Sequence, residues 1–173
     1  MNVGQLQIKL HQRINPDELK RDILIGLDSN ILINLITHPM IGQYLDRKFN
    51  IFQKSKLAIS EISKKEAMLV LRKKYQYAEA DAKKELEKQI NAFNIRVLSI
   101  TENTFSIAKT IKIHYPDSLI IANFKENGVT SVFSIDSEFV RAARDSGLYS
   151  IKIPNAQKIQ DIEYKRLFKR NNT

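Results

Sequence analysis

The sequence predicts an α/β fold on a mainly parallel sheet of five strands, and three observations carry the prediction. Five short apolar runs, each the length of a buried strand, recur along the chain at residues 23–27, 56–60, 95–100, 130–134 and 148–153. Segments with helical apolar spacing lie between them. Those connections are long enough to carry the chain back across a sheet. Consecutive strands are therefore expected as right-handed βαβ units, with helices on both faces.

Taken in order, residues 1–22 are polar and basic, with a short helix expected at Asn15-Pro16-Asp17-Glu18-Leu19-Lys20-Arg21 on an Asn cap and a Pro in the first turn. Ile23 to Leu27 is the first strand, and it ends abruptly in Asp28-Ser29-Asn30. A helix follows, capped by Ser29 or Asn30. His38-Pro39 breaks the chain, and Met40 to Phe49 is an amphipathic helix with Ile41, Tyr44, Leu45 and Phe49 on one side. After the second strand, a helix from about Ile62 to Arg72 places Ile62, Glu66, Leu69 and Val70 on one stripe facing the core. An unpaired carboxylate there is costly, so Glu66 needs a partner, a metal or a water-filled cleft.

Residues 73–92 are highly charged and read as a solvated helix in a hairpin with the preceding one. The third strand leads into a helix from Thr101 to about His114, with Phe105, Ala108 and Ile111 inward. Pro116-Asp117 starts another, whose stripe is Asp117, Ile120, Ile121 and Phe124, closed by Asn127-Gly128. The fourth strand runs into Ile135-Asp136-Ser137 and a helix through Ala143. Residues 154–173 form a basic tail, helical around Ile159 to Phe168.

At 173 residues with a hydrophobic share of 43%, the chain is expected to fold around a sizeable core. It contains no cysteine, which excludes disulfides, thiolate metal sites and cysteine nucleophiles. No apolar run spans a bilayer and the N-terminus lacks the apolar core of a signal peptide, so a cytoplasmic protein without a membrane partner is expected. A net charge of +9 favours a polyanionic partner.

Four acids carry the chemical argument. Asp28 and Asp136 each follow the carboxyl end of a strand, while Glu66 and Asp117 lie in early helical turns. In a parallel sheet those positions share one edge, the edge where ligands bind. Each acid also has a structural explanation. Asp28 and Asp136 can cap helices, Asp117 can complement a helix dipole, and Glu66 can pair with a Lys or Arg. Two of the four nevertheless occupy apolar stripes where nothing structural calls for an acid. A ring of carboxylates without His or Cys is the ligand set of a hard cation such as Mg²⁺ or Mn²⁺. On a basic protein its natural task is phosphodiester hydrolysis, which then needs no side-chain nucleophile.

The four segments that carry these acids resemble, in order, the four motifs of the PIN-domain nucleases. Leu24-Ile25-Gly26-Leu27-Asp28-Ser29-Asn30 is similar to the first, a strand ending in Asp-Ser/Thr-Asn. Ala58-Ile59-Ser60 through Lys65-Glu66-Ala67 resembles the second, and Pro116-Asp117-Ser118-Leu119-Ile120-Ile121-Ala122 the third. Phe133-Ser134-Ile135-Asp136-Ser137-Glu138-Phe139 resembles the fourth. The resemblance spans about residues 22–153. It implies a three-layer α/β/α sandwich and a Mg²⁺- or Mn²⁺-dependent ribonuclease, with Asp28, Glu66, Asp117 and Asp136 as metal ligands and catalytic residues, supported by Asn30 and Ser134.

The subgroup of similar size is the VapC-type toxins of toxin–antitoxin pairs. That likeness implies RNA as substrate, a cognate antitoxin as protein partner and a homodimer. The domain organisation expected is a basic extension over 1–22, a PIN-like domain over 23–153 and a basic tail over 154–173. The extension, the tail and the charged hairpin near 75–92 are all larger than such toxins carry. Glu61 is a second acid close to Glu66, and Arg141 and Arg144 follow Asp136 on its helix as candidate phosphate contacts. His11, His38 and His114 read as surface or loop residues.

Two other readings compete. One is a PIN-like module that binds RNA or protein without cutting, since a fold survives the loss of its site. The other is a phospho-receiver domain, which calls for two adjacent acids after the first strand; Asp28 is followed instead by Ser29-Asn30.

Overall fold

The computed structural model describes residues 23–170. The short helix expected near Asn15-Pro16 lies outside them, as does the rest of the basic extension. All five expected strands are present: β1 (Leu24–Leu27), β2 (Lys56–Ser60), β3 (Ile95–Leu98), β4 (Ser131–Ser134) and β5 (Tyr149–Lys152). They form one sheet in the order β3-β2-β1-β4-β5, and every neighbouring pair is parallel.

That order has a consequence for function. The chain winds outward from β1 through β2 to β3, then crosses back to lay β4 on the other side of β1. The strand order therefore reverses between β1 and β4. Such a reversal opens a crevice at the carboxyl ends of the two strands, because the connections leave them in opposite directions.

Helices cover both faces of the sheet, giving three layers. Side chains alternate along each strand, so β1 sends Ile25 and Leu27 to one face and Leu24 and Gly26 to the other. On the first face Ile25, Leu27, Leu57, Ile59 and Phe133 pack under α1 (Ser29–Thr37), α2 (Pro39–Phe49), α4 (Glu61–Lys73) and α5 (Glu79–Ala92), with the short α3 (Ile51–Lys54) joining α2 to β2. On the second, Ala58, Leu98 and Val132 pack under α7 (Asp117–Glu126) and α8 (Ser137–Asp145), and α6 (Glu102–Ala108) rests against α7. Gly26 is required by that second layer. A Cβ there would stand 2.9 Å from the buried Phe124 ring, so α7 approaches β1 only over a residue without one.

Several expectations change in detail. The cap of α1 is neither Ser29 nor Asn30 but Asp28, whose side chain accepts the Ser29 N–H. The core-facing stripe of α4 is Ser63, Ala67 and Leu71; Leu69 is 49% exposed and Glu66 lies on the boundary. Small residues win because α4 packs directly on α1, and Ser63 and Ala67 permit a close approach that Leu69 would block. The helix expected to reach His114 stops at Ala108. The segment that follows is rich in β-branched residues (Thr110, Ile111, Ile113), which weakens helix continuation. Phe105, expected inward, is 52% exposed. The buried position is Thr104, whose hydroxyl donates to Glu126 on α7, as does that of Thr101 at 2.6 Å.

The C-terminal segment, expected as a tail with some helix, is α9 (Ala156–Arg170) packed on α2. Its Ile159 is buried in the first core. Its Glu163, 2% exposed, accepts from both terminal nitrogens of Arg47 and also pairs with Arg166 at 3.1 Å. Arg47 and Arg166 hold the Glu163 carboxyl below the usual range, and hydrogen bonding to Arg47 is the largest cause.

Candidate active site

Asp28 extends β1 by one residue. Its backbone N–H donates to Phe133 O at 3.1 Å, continuing the ladder to β4, and this fixes the carboxylate in the crevice at the reversal. The side chain is 4% exposed and fully engaged. Oδ1 accepts the Ser29 N–H at 2.7 Å; Oδ2 accepts the Asn30 amide at 2.5 Å and the Ser134 hydroxyl at 2.6 Å.

Ser134 is the junction of this network. It is fully buried at the end of β4, donates to Asp28 and accepts from Asn30 Nδ2 at 3.0 Å and from the Asp136 N–H at 2.9 Å. Asn30 closes the loop by accepting the Ile135 N–H at 3.1 Å through Oδ1. The carboxyl ends of β1 and β4 are thus tied together by side chains as well as by the ladder. Asp136 sits exposed just beyond, its Oδ1 accepting the Glu138 and Phe139 N–H groups as the cap of α8.

Glu66 and Asp117 arrive from opposite layers. Asp117 is the first residue of α7, partly buried, and Glu66 stands in the second turn of α4. Both lie near enough for their charges to act on Asp28, and Asp136 acts on Asp117. Burial lifts the Asp28 carboxyl to about 7 against hydrogen bonds from Ser134 and Ser29 that lower it, and the charges of Asp117 and Glu66 raise it further. Burial likewise lifts Asp117 to about 6, aided by the charges of Glu66, Asp136 and Glu138, with His114 acting the other way. The structure therefore brings all four expected acids to one edge.

Glu138 is a fifth acid there, given no role by the sequence reading. Its only signal was an acid in the first turn of α8, which alone reads as a dipole complement. Glu61, the first residue of α4, pairs with Lys65 at 3.4 Å. Arg141 and Arg144 are both exposed on α8.

Among the described residues none of the four acids is ion-paired to a Lys or Arg. Among the same residues no three His, Cys, Asp or Glu side chains stand close enough together to hold a metal ion as they lie. The hydrogen bonds explain the spacing: Asp28 is turned toward Ser134 and Asn30, and Asp136 toward the start of α8. The donor set itself suits a hard cation. It is made of carboxylate oxygens that repel one another, in a partly dry crevice, without a lysine or arginine ion-paired to them among the described residues.

The fold is shared with known proteins. Curated protein sequences yield no match. Solved structures do. The chain is similar in fold to VapBC2 from Rickettsia felis, crystallised on a DNA fragment from its promoter, with a TM-score of 0.57 at 13% identity over 75% of this chain and 98% of that one. It is similar to FitAcB from Neisseria gonorrhoeae, with a TM-score of 0.51 at 18% identity over 77% and 98%. PAE2754 from Pyrobaculum aerophilum gives a TM-score of 0.51 at 17% identity over 74% and 89%. At those identities the likeness is one of fold. Among sequence families, the PIN domain matches residues 25–145, the stretch that runs from β1 through α8 and carries Asp28, Glu66, Asp117 and Asp136. On that match and that fold, the chain belongs to the PIN-domain family.

Proposed function

We propose that this protein is a metal-dependent endoribonuclease that hydrolyses RNA phosphodiester bonds at the edge bordered by Asp28, Glu66, Asp117 and Asp136. The observation that carries the reading is the convergence of these carboxylates, from four separate elements, on the β1–β4 crevice without a lysine or arginine ion-paired to them among the described residues. Asp28 and Asp136 also cap α1 and α8, but capping does not account for Glu66 and Asp117, whose charges raise the Asp28 carboxyl further. Repulsion that the fold tolerates suits a site that takes up positive charge from outside.

The four acids would hold Mg²⁺ or Mn²⁺, which when bound polarises the phosphate and lowers the pKa of an attacking water. The rest is supplied by the chain. Ser134, Asn30 and the Ser29 N–H hold the Asp28 carboxylate in one orientation, so it enters the reaction already placed. The start of α7 sets Asp117 opposite it. The excess of basic side chains in the whole chain draws the RNA backbone in, an attraction that weakens with salt. On the likeness to VapBC2 and FitAcB we further propose the role of a toxin held by a cognate antitoxin.

Cleavage of a structured RNA pool in Mn²⁺, Mg²⁺ or EDTA tests the reading, with Asp28→Asn and Asp117→Asn beside wild type and each checked for folding. Activity that requires the metal and disappears in both variants is expected. Folded wild type that binds RNA without cutting it, with both variants behaving identically, identifies an RNA-binding module instead.

A further inference from the structure

Beside the acids lies a second feature, a cleft of about 620 Å³ whose lining includes Asn30 and Asp136. We infer that it is the subsite for one unpaired RNA base next to the phosphate addressed by the acids, an inference that rests on the ribonuclease reading above. Its walls come from three places: Asn34 and His38 on and just after α1, Lys74 and Tyr75 in the turn after α4, and Asn155 at the start of α9. Its volume is that of a small-molecule site, and its lining is mostly amide, ring and cation.

Two of the amides are oriented by local bonds. Asn34 Nδ2 donates to the Asn30 backbone oxygen at 2.6 Å, which leaves Oδ1 as the acceptor. Asn155 Oδ1 accepts the Lys158 N–H at 2.9 Å, which leaves Nδ2 as the donor. The cleft thus presents two oriented amides, each with acceptor and donor capacity left after these bonds, the mixture of groups that a nucleobase edge carries. Tyr75 contributes a half-buried ring packed against the first core, and Lys74 Nζ sits over its face 5.6 Å from the centroid, so a base stacks there by displacing that exposed lysine side chain. A lysine at this point matters because the adjoining edge is lined with carboxylates that repel phosphate. The hydrogen-bonding edges of bases paired in an A-form helix are not available to these amides, so the occupant is single-stranded.

The test uses the full chain and a random-sequence single-stranded RNA pool, read twice. Bound species are sequenced in EDTA, and cut sites are sequenced in Mn²⁺. The variants are Asn155→Asp, which keeps the acceptor for Lys158 and replaces the donor, and Tyr75→Leu, which keeps apolar packing and removes the ring. Tyr75→Phe is the rescue. Wild type is expected to enrich one base at one position. Asn155→Asp should change which base is enriched, and Tyr75→Leu should weaken binding about tenfold, restored in Tyr75→Phe.

Cleft-dependent preference in EDTA without cutting in Mn²⁺ supports the subsite and overturns the ribonuclease reading. Cutting with a preference that no variant alters, or wild-type binding without base preference, overturns the subsite and spares the ribonuclease. The same preference shown equally for single-stranded DNA overturns the assignment to RNA, and failure of wild type to bind RNA at all overturns both readings.

Discussion

Ser134 Oγ donates to Asp28 Oδ2 at 2.6 Å, joining residues 106 positions apart at the ends of two neighbouring parallel strands. The same oxygen accepts from Asn30 and from the Asp136 backbone, so one buried hydroxyl sets the positions of two of the four acids.

Ser134→Ala removes all three bonds at once. Loss of a buried, satisfied hydroxyl should destabilise the fold by roughly 1–3 kcal/mol in chemical denaturation. Because the Ser134 bond lowers the Asp28 pKa, its removal should push that carboxyl above about 7 in a carboxyl NMR titration. An unchanged titration would mean that Ser134 does not act on Asp28.

Stability without divalent cations should fall as pH rises from about 4 to about 7. Asp28 and Asp117 have folded pKa values of about 7 and about 6 against an ordinary 3.8, so in this window the folded chain holds protons that the unfolded chain has released. Raising the pH then favours unfolding. Asp117→Asn should flatten the profile and raise stability at pH 8 by roughly 1–2 kcal/mol, a figure reduced for solvent screening at this partly exposed group. Melting curves in EDTA across the pH range check it. A rising profile would contradict the assignment.

Addition of Mn²⁺ at pH 8 should reverse that loss. Cation bound only by the folded state stabilises it by mass action, about 2.7 kcal/mol at a hundredfold excess over Kd. The rise in Tm should disappear in Asp28→Asn and persist in Glu61→Gln, since Glu61 already pairs with Lys65. Equal shifts in both variants would place the cation elsewhere.

Gly26→Ala should cost roughly 1–3 kcal/mol by overpacking, because the new methyl meets the Phe124 ring at 2.9 Å. Phe124 belongs to the helix that begins with Asp117, so RNA cleavage should fall as well. Phe124→Leu in the same chain should recover part of the stability. If the double variant is no more stable than the sum of the singles, the contact is not the cause.

The strands and the acids at their ends were legible because both are local. A short apolar run bounded by Asp-Ser-Asn or Ile-Asp-Ser marks where a strand stops, whatever surrounds it. The family motifs added the order of the acids. The stripe of α4 was not legible. Ile62, Glu66, Leu69 and Val70 satisfy helical spacing as well as Ser63, Ala67 and Leu71 do, and only the presence of α1 makes small residues the better choice. Phe105 failed for a similar reason. The side of α6 that faces α7 is chosen by hydroxyls from Thr101 and Thr104 bonding Glu126, a partner more than twenty residues away.

By itself the sequence determined the alternation of strand and helix, the parallel sheet that follows from it, and the places of four candidate acids at strand ends and in early helical turns. These depend on residue type and spacing along the chain. Tertiary structure alone decided that β4 returns beside β1, that Ser134 and Asn30 therefore close on Asp28, that Glu138 joins the edge, and that α9 packs into the core through Ile159 and Glu163. The physical reason is that such contacts join residues far apart in sequence. Neither partner carries a mark of the other until the sheet order brings the two together.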